Sequence, residues 1–347
     1  MGPAKPLEVA AFPAICTGMT GLTRRNNLSA GAAALVLPAR ANGAFDAALA
    51  RARGFDQLHG LIVEKAGERL VTERVRGPAL DRPVNVKSIS KTLVASLLGA
   101  AIDRGVVPGV DVTIGEVAPR LLPSGADPRA ADITLGQLAS LQAGLERTSG
   151  PNYGEWVSSG NWVANALSRP LVAEPGTRML YSTGSTHILG AVLAEASRES
   201  LLTLARDWLG RPLGIEIPAW TRDPQGYYLG GNEMALSPEA MVRFGEMIRL
   251  GGMWNGARVL SAEWVETSLA PRTRSPWSGL SYGYGWFLGR SSDAEVALAR
   301  GYGGQVIAVV PERELTVAIT SDPTRPARSG GYFGDLLGLI DDIVAAA

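Results

Sequence analysis

Apolar and polar positions alternate along this chain with two periods, one helical and one extended, and the periods predict its elements. Residues 45–53 read as a short helix. Residues 58–64 and 69–75 read as two strands of a hairpin that turns at Ala66-Gly67. From Ser88 to Arg104, Leu93, Val94, Leu97, Leu98, Ala101 and Ile102 recur at helical spacing, and Gly105 ends the run. Helical segments at 134–142 and 187–199 follow, separated by loops with Pro and Gly, and residues 152–162 are rich in aromatics and glycine. Ser237-Pro238-Glu239 opens a helix to Leu250, with Pro at the first helical position. Residues 260–269 read as helix, 282–288, 296–299, 305–310 and 316–321 as strands, and 334–346 as a final helix.

Strands at both ends and helices between them predict an α+β fold. One antiparallel sheet is built from both chain ends and flanked by helices. The α/β lobe is expected at about 42–115 and 225–347, with a mostly helical lobe inserted at about 116–224. A cleft between two such lobes is the default place for a site.

Composition narrows the function. Lys plus Arg and Asp plus Glu number 33 each, and this balance argues against a nucleic-acid partner. The one cysteine, Cys16, cannot form an intramolecular disulfide, and with only His59 and His187 beside it the chain offers no zinc ligand set. Near the N-terminus, Thr23-Arg24-Arg25-Asn26-Asn27-Leu28 precedes an apolar run from Ala30 to Leu37, and Ala39-Arg40-Ala41 has small-x-small spacing. This is similar to a twin-arginine export signal over residues 1–41, with Met19 as a second candidate start. The expectation is a periplasmic or secreted enzyme over 42–347, or a cytoplasmic one if the segment is only an N-terminal arm. The apolar run is too short for a stable membrane span.

Chemistry concentrates in Ser88-Ile89-Ser90-Lys91. Serine and lysine three apart at a helix start share a face. A serine hydroxyl needs a base, and a lysine serves as one only when desolvation leaves it partly neutral. Taken alone, the pattern is more often an N-cap serine beside a solvated lysine. Tyr181-Ser182-Thr183 is a second candidate, since a tyrosine beside the Ser–Lys pair could shuttle the proton; the alternative is a core tyrosine. Gly279-Leu280-Ser281-Tyr282-Gly283 matches a nucleophile elbow, but strand-like residues follow it and no histidine lies beyond His187. His59 reads as a strand residue and His187 as a packing residue or a support behind the site. Tyr153, Trp156 and Trp162 are candidates for the pocket wall, or for a lid on the core.

Ser88-x-x-Lys91, Glu174-Pro175-Gly176 leading into Tyr181-Ser182, Pro212-Leu213-Gly214, and Gly301-Tyr302-Gly303-Gly304 before Pro311-Glu312 occur in the order found in the β-lactamase-related serine hydrolases. The chain resembles that family, which includes class C β-lactamases, D-amino-acid peptidases, esterases and 6-aminohexanoate-dimer hydrolases, from about Leu58 to its C-terminus. Tyr153-Gly154-Glu155-Trp156, the run from Tyr228 to Glu233, and Gly303-Gly304-Gln305 look closest to the amide-hydrolase and esterase branch. The resemblance implies Ser88 as acyl-forming nucleophile, Lys91 as base and Tyr181 as acid/base. It implies Thr183 where Asn or Ser is usual, and an oxyanion donor from the strand near Tyr302 and Gly303. The Lys or His usual on that strand is missing, which puts efficient β-lactam hydrolysis in doubt. The implied substrate is a small carboxylic ester or linear amide, with no cofactor or metal. Alternatives are a D-peptidase or weak β-lactamase near the cell wall, and a non-catalytic binding module on the same fold.

Overall fold

Every residue of Gln305–Val310 and Leu315–Ser321 is buried, as strands covered on both faces require. They form the middle of an eight-stranded sheet in the computed structural model, which describes residues 43–347. The export-signal-like segment, with Cys16, lies outside the described residues. In chain order the strands are β1 (Leu58–Lys65), β2 (Glu68–Arg74), β3 (Val84–Asn85), β4 (Ala235–Leu236), β5 (Met253–Trp254) and β6 (Ala257–Arg258). The last six are β7 (Thr273–Arg274), β8 (Ser281–Tyr282), β9 (Phe287–Ser291), β10 (Ala294–Gly301), β11 (Gln305–Val310) and β12 (Leu315–Ser321). The order β2-β1-β12-β11-β10-β9-β8-β7 joins the two ends of the chain in one sheet. Its recorded pairings are antiparallel, with Val63 opposite Val317 and Ala299 opposite Ile307.

The two-residue side-chain period of a strand sorts the core into two layers. Val306, Ala308 and Val310 pack with Phe45, with Leu49 and Ala52 of the helix Asp46–Gly54 that Phe45 precedes, and with Phe333, Leu336 and Ile340 of Tyr332–Ala346. Ile307 and Val309 face the other way, with Leu93 and Leu97 of Ile89–Asp103 and with Met241 and Phe244 of Pro238–Arg249. The β1–β2 turn takes left-handed φ at Ala66 (51°) and Gly67 (81°), as a two-residue hairpin loop demands.

Three expected elements differ. Residues 282–288 are not one strand: β8 and β9 pair with each other, Tyr282 opposite Phe287, across a tight turn. Gly285 sits in that turn at φ 82°, and a Cβ there would lie 2.9 Å from the Thr92 Cα, so the turn packs directly on the helix that begins after Ser88. The aromatic alternation that looked like a strand belongs to a turn buried against that helix. The segment 134–142 is a single helical turn, Leu135–Ala139, with a Thr134/Gln137 capping box; Leu141 at φ 61° stops it. The helix expected at 187–199 starts at Thr183 and runs to Ser197. Thr183-Gly184-Ser185-Thr186 has weak helical propensity, and burial of the whole turn overrides it. Among the described residues no helix is long and apolar enough to cross a membrane.

Candidate active site

The turn before Ser88 is held in a strained shape. Lys87 takes φ 53°, a left-handed conformation that costs a non-glycine residue about 1–2 kcal/mol. The surroundings offset that cost. The Lys87 N–H donates to Asn85 Oδ1 at 2.9 Å, and its ammonium pairs with Glu233 at 3.1 Å. The Ser90 hydroxyl donates to the Lys87 carbonyl at 2.6 Å and accepts from the Met234 N–H at 3.2 Å. Pairing of β3 with β4 ties both sides of this turn together. Ser88 therefore sits at the N-cap of Ile89–Asp103, yet its side chain caps no backbone N–H. Its hydroxyl faces Lys91 instead.

Lys91 is 2% exposed, so the solvated-lysine alternative does not apply. Its Nζ lies 3.2 Å from Ser88 Oγ, 3.3 Å from Thr183 Oγ1 and 2.6 Å from the Gly231 carbonyl oxygen. Burial pulls its pKa from 10.5 down to about 7. A buried amine without a carboxylate partner loses the hydration that stabilises its charged form. The Tyr181 ring centroid is 4.9 Å from Nζ. Burial pushes the Tyr181 hydroxyl above its ordinary pKa, while a hydrogen bond with Ser88 and the charge of Arg300 act in the opposite direction. The serine, the amine and the phenol thus share one corner of the molecule.

Thr183 joins the same cluster through a residue that the sequence did not single out. Ser149 Oγ lies 3.0 Å from Thr183 Oγ1 and accepts from the Thr183 N–H at 2.9 Å. One residue back in each segment, Thr148 and Ser182 interlock through their hydroxyls at 3.2 Å. Gly231 was visible only as part of a glycine-rich run, although its carbonyl makes the shortest contact to Lys91. His187 does not reach Ser88. It is buried with Nε2 3.1 Å from Asp223 Oδ2, and Nδ1 accepts from the Gly230 N–H at 3.3 Å. It therefore supports the residue next to Gly231. His59 lies in β1 and Ser281 of the elbow-like motif in β8, and neither lines the cavity that holds Ser88.

The aromatic candidates separate. Trp156 is fully buried, donating its indole N–H to the Trp162 carbonyl at 2.8 Å and packing edge-on against His187. It is a core residue, not a pocket wall; a wide apolar indole with one donor is satisfied more cheaply there. Trp162 packs against it, and the Tyr153 hydroxyl accepts from Asn232 at 3.1 Å, outside the cavity in front of Ser88. That cavity, about 330 Å³, is walled by Tyr181, Trp277, Phe287, Arg300, Tyr302 and Phe333. Tyr302 stands half-exposed at its edge. A Cβ on Gly301 would come 2.2 Å from the Val86 carbonyl, so the end of β10 lies against the chain leading into Ser88. Gly303, at φ 83°, lies against the chain at Asp322, whose carbonyl oxygen a Cβ there would approach to 2.4 Å. The backbone N–H groups of Ser88 and Tyr302 donate to no turn or loop acceptor among the described residues.

Comparison with solved structures places the fold. A candidate 6-aminohexanoate-dimer hydrolase from Bacillus anthracis superposes with a TM-score of 0.71 at 16% identity, covering 83% of this chain and 79% of its own. A penicillin-binding protein homologue from Caulobacter crescentus gives 0.72 at 16%, covering 88% and 98%. A family VIII carboxylesterase gives 0.67 at 17%, covering 88% and 96%. No match was found among curated proteins. The Beta-lactamase family model matches residues 59–332, which is most of the chain, and the chain belongs to that family.

Proposed function

We propose that the chain is a serine hydrolase that cleaves a small carboxylic ester or linear amide through an acyl-enzyme on Ser88. The observation that carries this reading is the buried Lys91 amine, with a pKa of about 7, 3.2 Å from the Ser88 hydroxyl. At neutral pH about half of such an amine is unprotonated and able to take the hydroxyl proton. Ser88 then adds to the substrate carbonyl. The backbone N–H groups of Ser88 and Tyr302 stabilise the oxyanion, and their lack of turn or loop partners supports that role. Tyr181, held protonated by burial and lining the same cavity as Ser88, delivers a proton to the leaving group as the tetrahedral intermediate collapses. Water then attacks the acyl-enzyme by the reverse sequence of proton transfers.

The names of the structural relatives include a carboxylesterase, a penicillin-binding protein homologue and a 6-aminohexanoate-dimer hydrolase, which supports ester or amide chemistry without choosing between them. Tyr302, in the turn directly after β10, stands near the place where the resemblance leads one to expect Lys or His, and this favours linear substrates over β-lactams. A fluorophosphonate probe and a panel of short-chain esters, linear amides and nitrocefin test the reading. Labelling and turnover by the wild type, both lost in Ser88→Ala, are expected. A folded wild type that neither labels nor turns over any member would leave the binding-module alternative.

A further inference from the structure

A strap of chain, residues 228–234, runs behind Lys91 from the helix Thr183–Ser197 to the turn before Ser88. Leu229 fixes its near end: its N–H donates to the Thr221 carbonyl at 2.9 Å, and its own carbonyl accepts from the Trp220 indole at 2.9 Å. The Glu233 carboxylate and the Met234 N–H fix the far end, on Lys87 and Ser90. Between them stand Gly230 and Gly231. A Cβ on Gly230 would come 2.3 Å from the Thr186 carbonyl oxygen, so the strap presses directly on the helix. The Gly230 N–H donates to His187 Nδ1, and the carbonyl of the next residue meets Lys91 Nζ at 2.6 Å.

The Gly230 N–H settles the tautomer of His187. A ring nitrogen that accepts carries no proton, so the proton sits on Nε2 and is donated to Asp223 Oδ2, 3.1 Å away. Asp223 is itself committed. Its other oxygen accepts from the Gln225 and Tyr227 N–H groups at 2.9 and 2.8 Å. Neither side chain has any exposure to solvent, and Trp156 and Trp162 pack edge-on against the imidazole. Bulk water therefore cannot take over the bond to Gly230.

The consequence lies at Lys91. An uncharged amine has two N–H donors and one lone pair, and three oxygens surround Nζ. The Gly231 carbonyl can only accept, so it claims one N–H. Thr183 Oγ1, at 3.3 Å, can accept the other, which leaves the lone pair for Ser88 Oγ at 3.2 Å. We propose that His187 and Asp223 form a positioning pair for the reaction: acting through Gly230, they hold the Gly231 carbonyl where it aims the Lys91 lone pair at Ser88. The proposal rests on the hydrolase reading and deepens it, by naming residues that act on the base without touching substrate.

The pH profile of Ser88 labelling by a fluorophosphonate tests it. A residue that only holds the fold together changes how much enzyme labels; one that aims the base changes the rate constant of the enzyme that does. In Asp223→Asn, Oδ1 still accepts from two backbone N–H groups, so the amide must turn its NH2 toward His187. Nε2 then accepts, and the ring proton moves to Nδ1, where it opposes the Gly230 N–H. The plateau rate constant should fall about tenfold. The midpoint should drop by about half a pH unit from its wild-type place near 7, because the charged amine loses its shortest acceptor. His187→Gln, whose amide reaches Asp223 but offers Gly230 no acceptor, should match it. His187→Asn, whose amide oxygen stands near the place of Nδ1, should recover most of the loss. A plateau and midpoint equal to wild type in Asp223→Asn and His187→Gln overturns the proposal, as does a loss that His187→Asn shares in full. Should Asp223→Asn lose its circular dichroism signature, the two His187 variants carry the comparison. If the folded wild type does not label at all, the hydrolase reading fails, and NMR titration of Lys91 in protein carrying isotope-labelled lysine still decides the pair's hold on the amine. A lowered Lys91 pKa in Asp223→Asn sustains that hold; an unmoved one sinks it.

Discussion

If Lys91 is kept neutral by burial, its removal should stabilise the protein while destroying its activity, and the stabilisation should depend on pH. The unfolded chain binds a proton at this lysine up to about 10.5, whereas the folded chain releases it near 7. A base with a depressed folded pKa weakens the folded state fully below the folded value. The penalty fades as pH rises toward the unfolded value, because there the unfolded chain also gives up its proton. At about 1.4 kcal/mol for each unit between 10.5 and about 7, the penalty at acid pH is on the order of 5 kcal/mol. Lys91→Met fills the volume without the charge. Part of the gain is offset, because the Gly231 carbonyl, 2.6 Å from Nζ, loses its donor, at a cost of about 1–3 kcal/mol. That offset does not change with pH. Urea denaturation of wild type and Lys91→Met near pH 6 and near pH 9 therefore isolates the titration: the advantage of the variant should shrink by about 3 kcal/mol between the two. An equal difference at both pH values would mean that Lys91 titrates alike in the folded and unfolded chains, and the argument for a neutral amine would fail.

Other perturbations bear on the remaining parts. Tyr181→Phe keeps the ring that stacks on Phe287 at 6.4 Å but loses the proton donor; turnover should fall by about 10²–10⁴-fold, checked by steady-state kinetics with a poor leaving group. Gly301→Ala would drive a Cβ to 2.2 Å from the Val86 carbonyl, so fluorophosphonate labelling of Ser88 should be lost or strongly slowed even in whatever fraction folds. Ser90→Ala removes a hydroxyl that donates to the Lys87 carbonyl and accepts from Met234; stability should drop by about 1–3 kcal/mol in urea melts, because the Met234 N–H is left unpaired.

The fold was legible because its signals are local. Hydrophobic periodicity marked the fully buried strands β11 and β12, and Ala66-Gly67 marked the turn between β1 and β2. Ser88 and Lys91 stood out because their spacing lies within one helical turn, and Tyr181 and Thr183 because a motif order held them together. What the sequence concealed depends on chain segments that meet only on folding. Ser149 reaches Thr183 across a separation of 34 residues, and the Gly231 carbonyl reaches Lys91 across 140. Aromatic clusters misled for a related reason. A tryptophan has the same composition signal in a core as in a pocket, and Trp156 went to the core while Trp277, unremarked in the sequence, went to the cavity. The helix before His187 was underestimated because Thr, Gly and Ser favour other conformations until packing decides.

The rate of Ser88 phosphonylation by a fluorophosphonate, followed from acid to alkaline pH, tests most directly whether the neutral lysine activates the serine. The expected second-order rate constant climbs about tenfold per pH unit below neutrality, levels off above a midpoint near 7, and loses that titration in Lys91→Met. A rate that keeps rising to pH 10, or a profile unchanged by Lys91→Met, would contradict it.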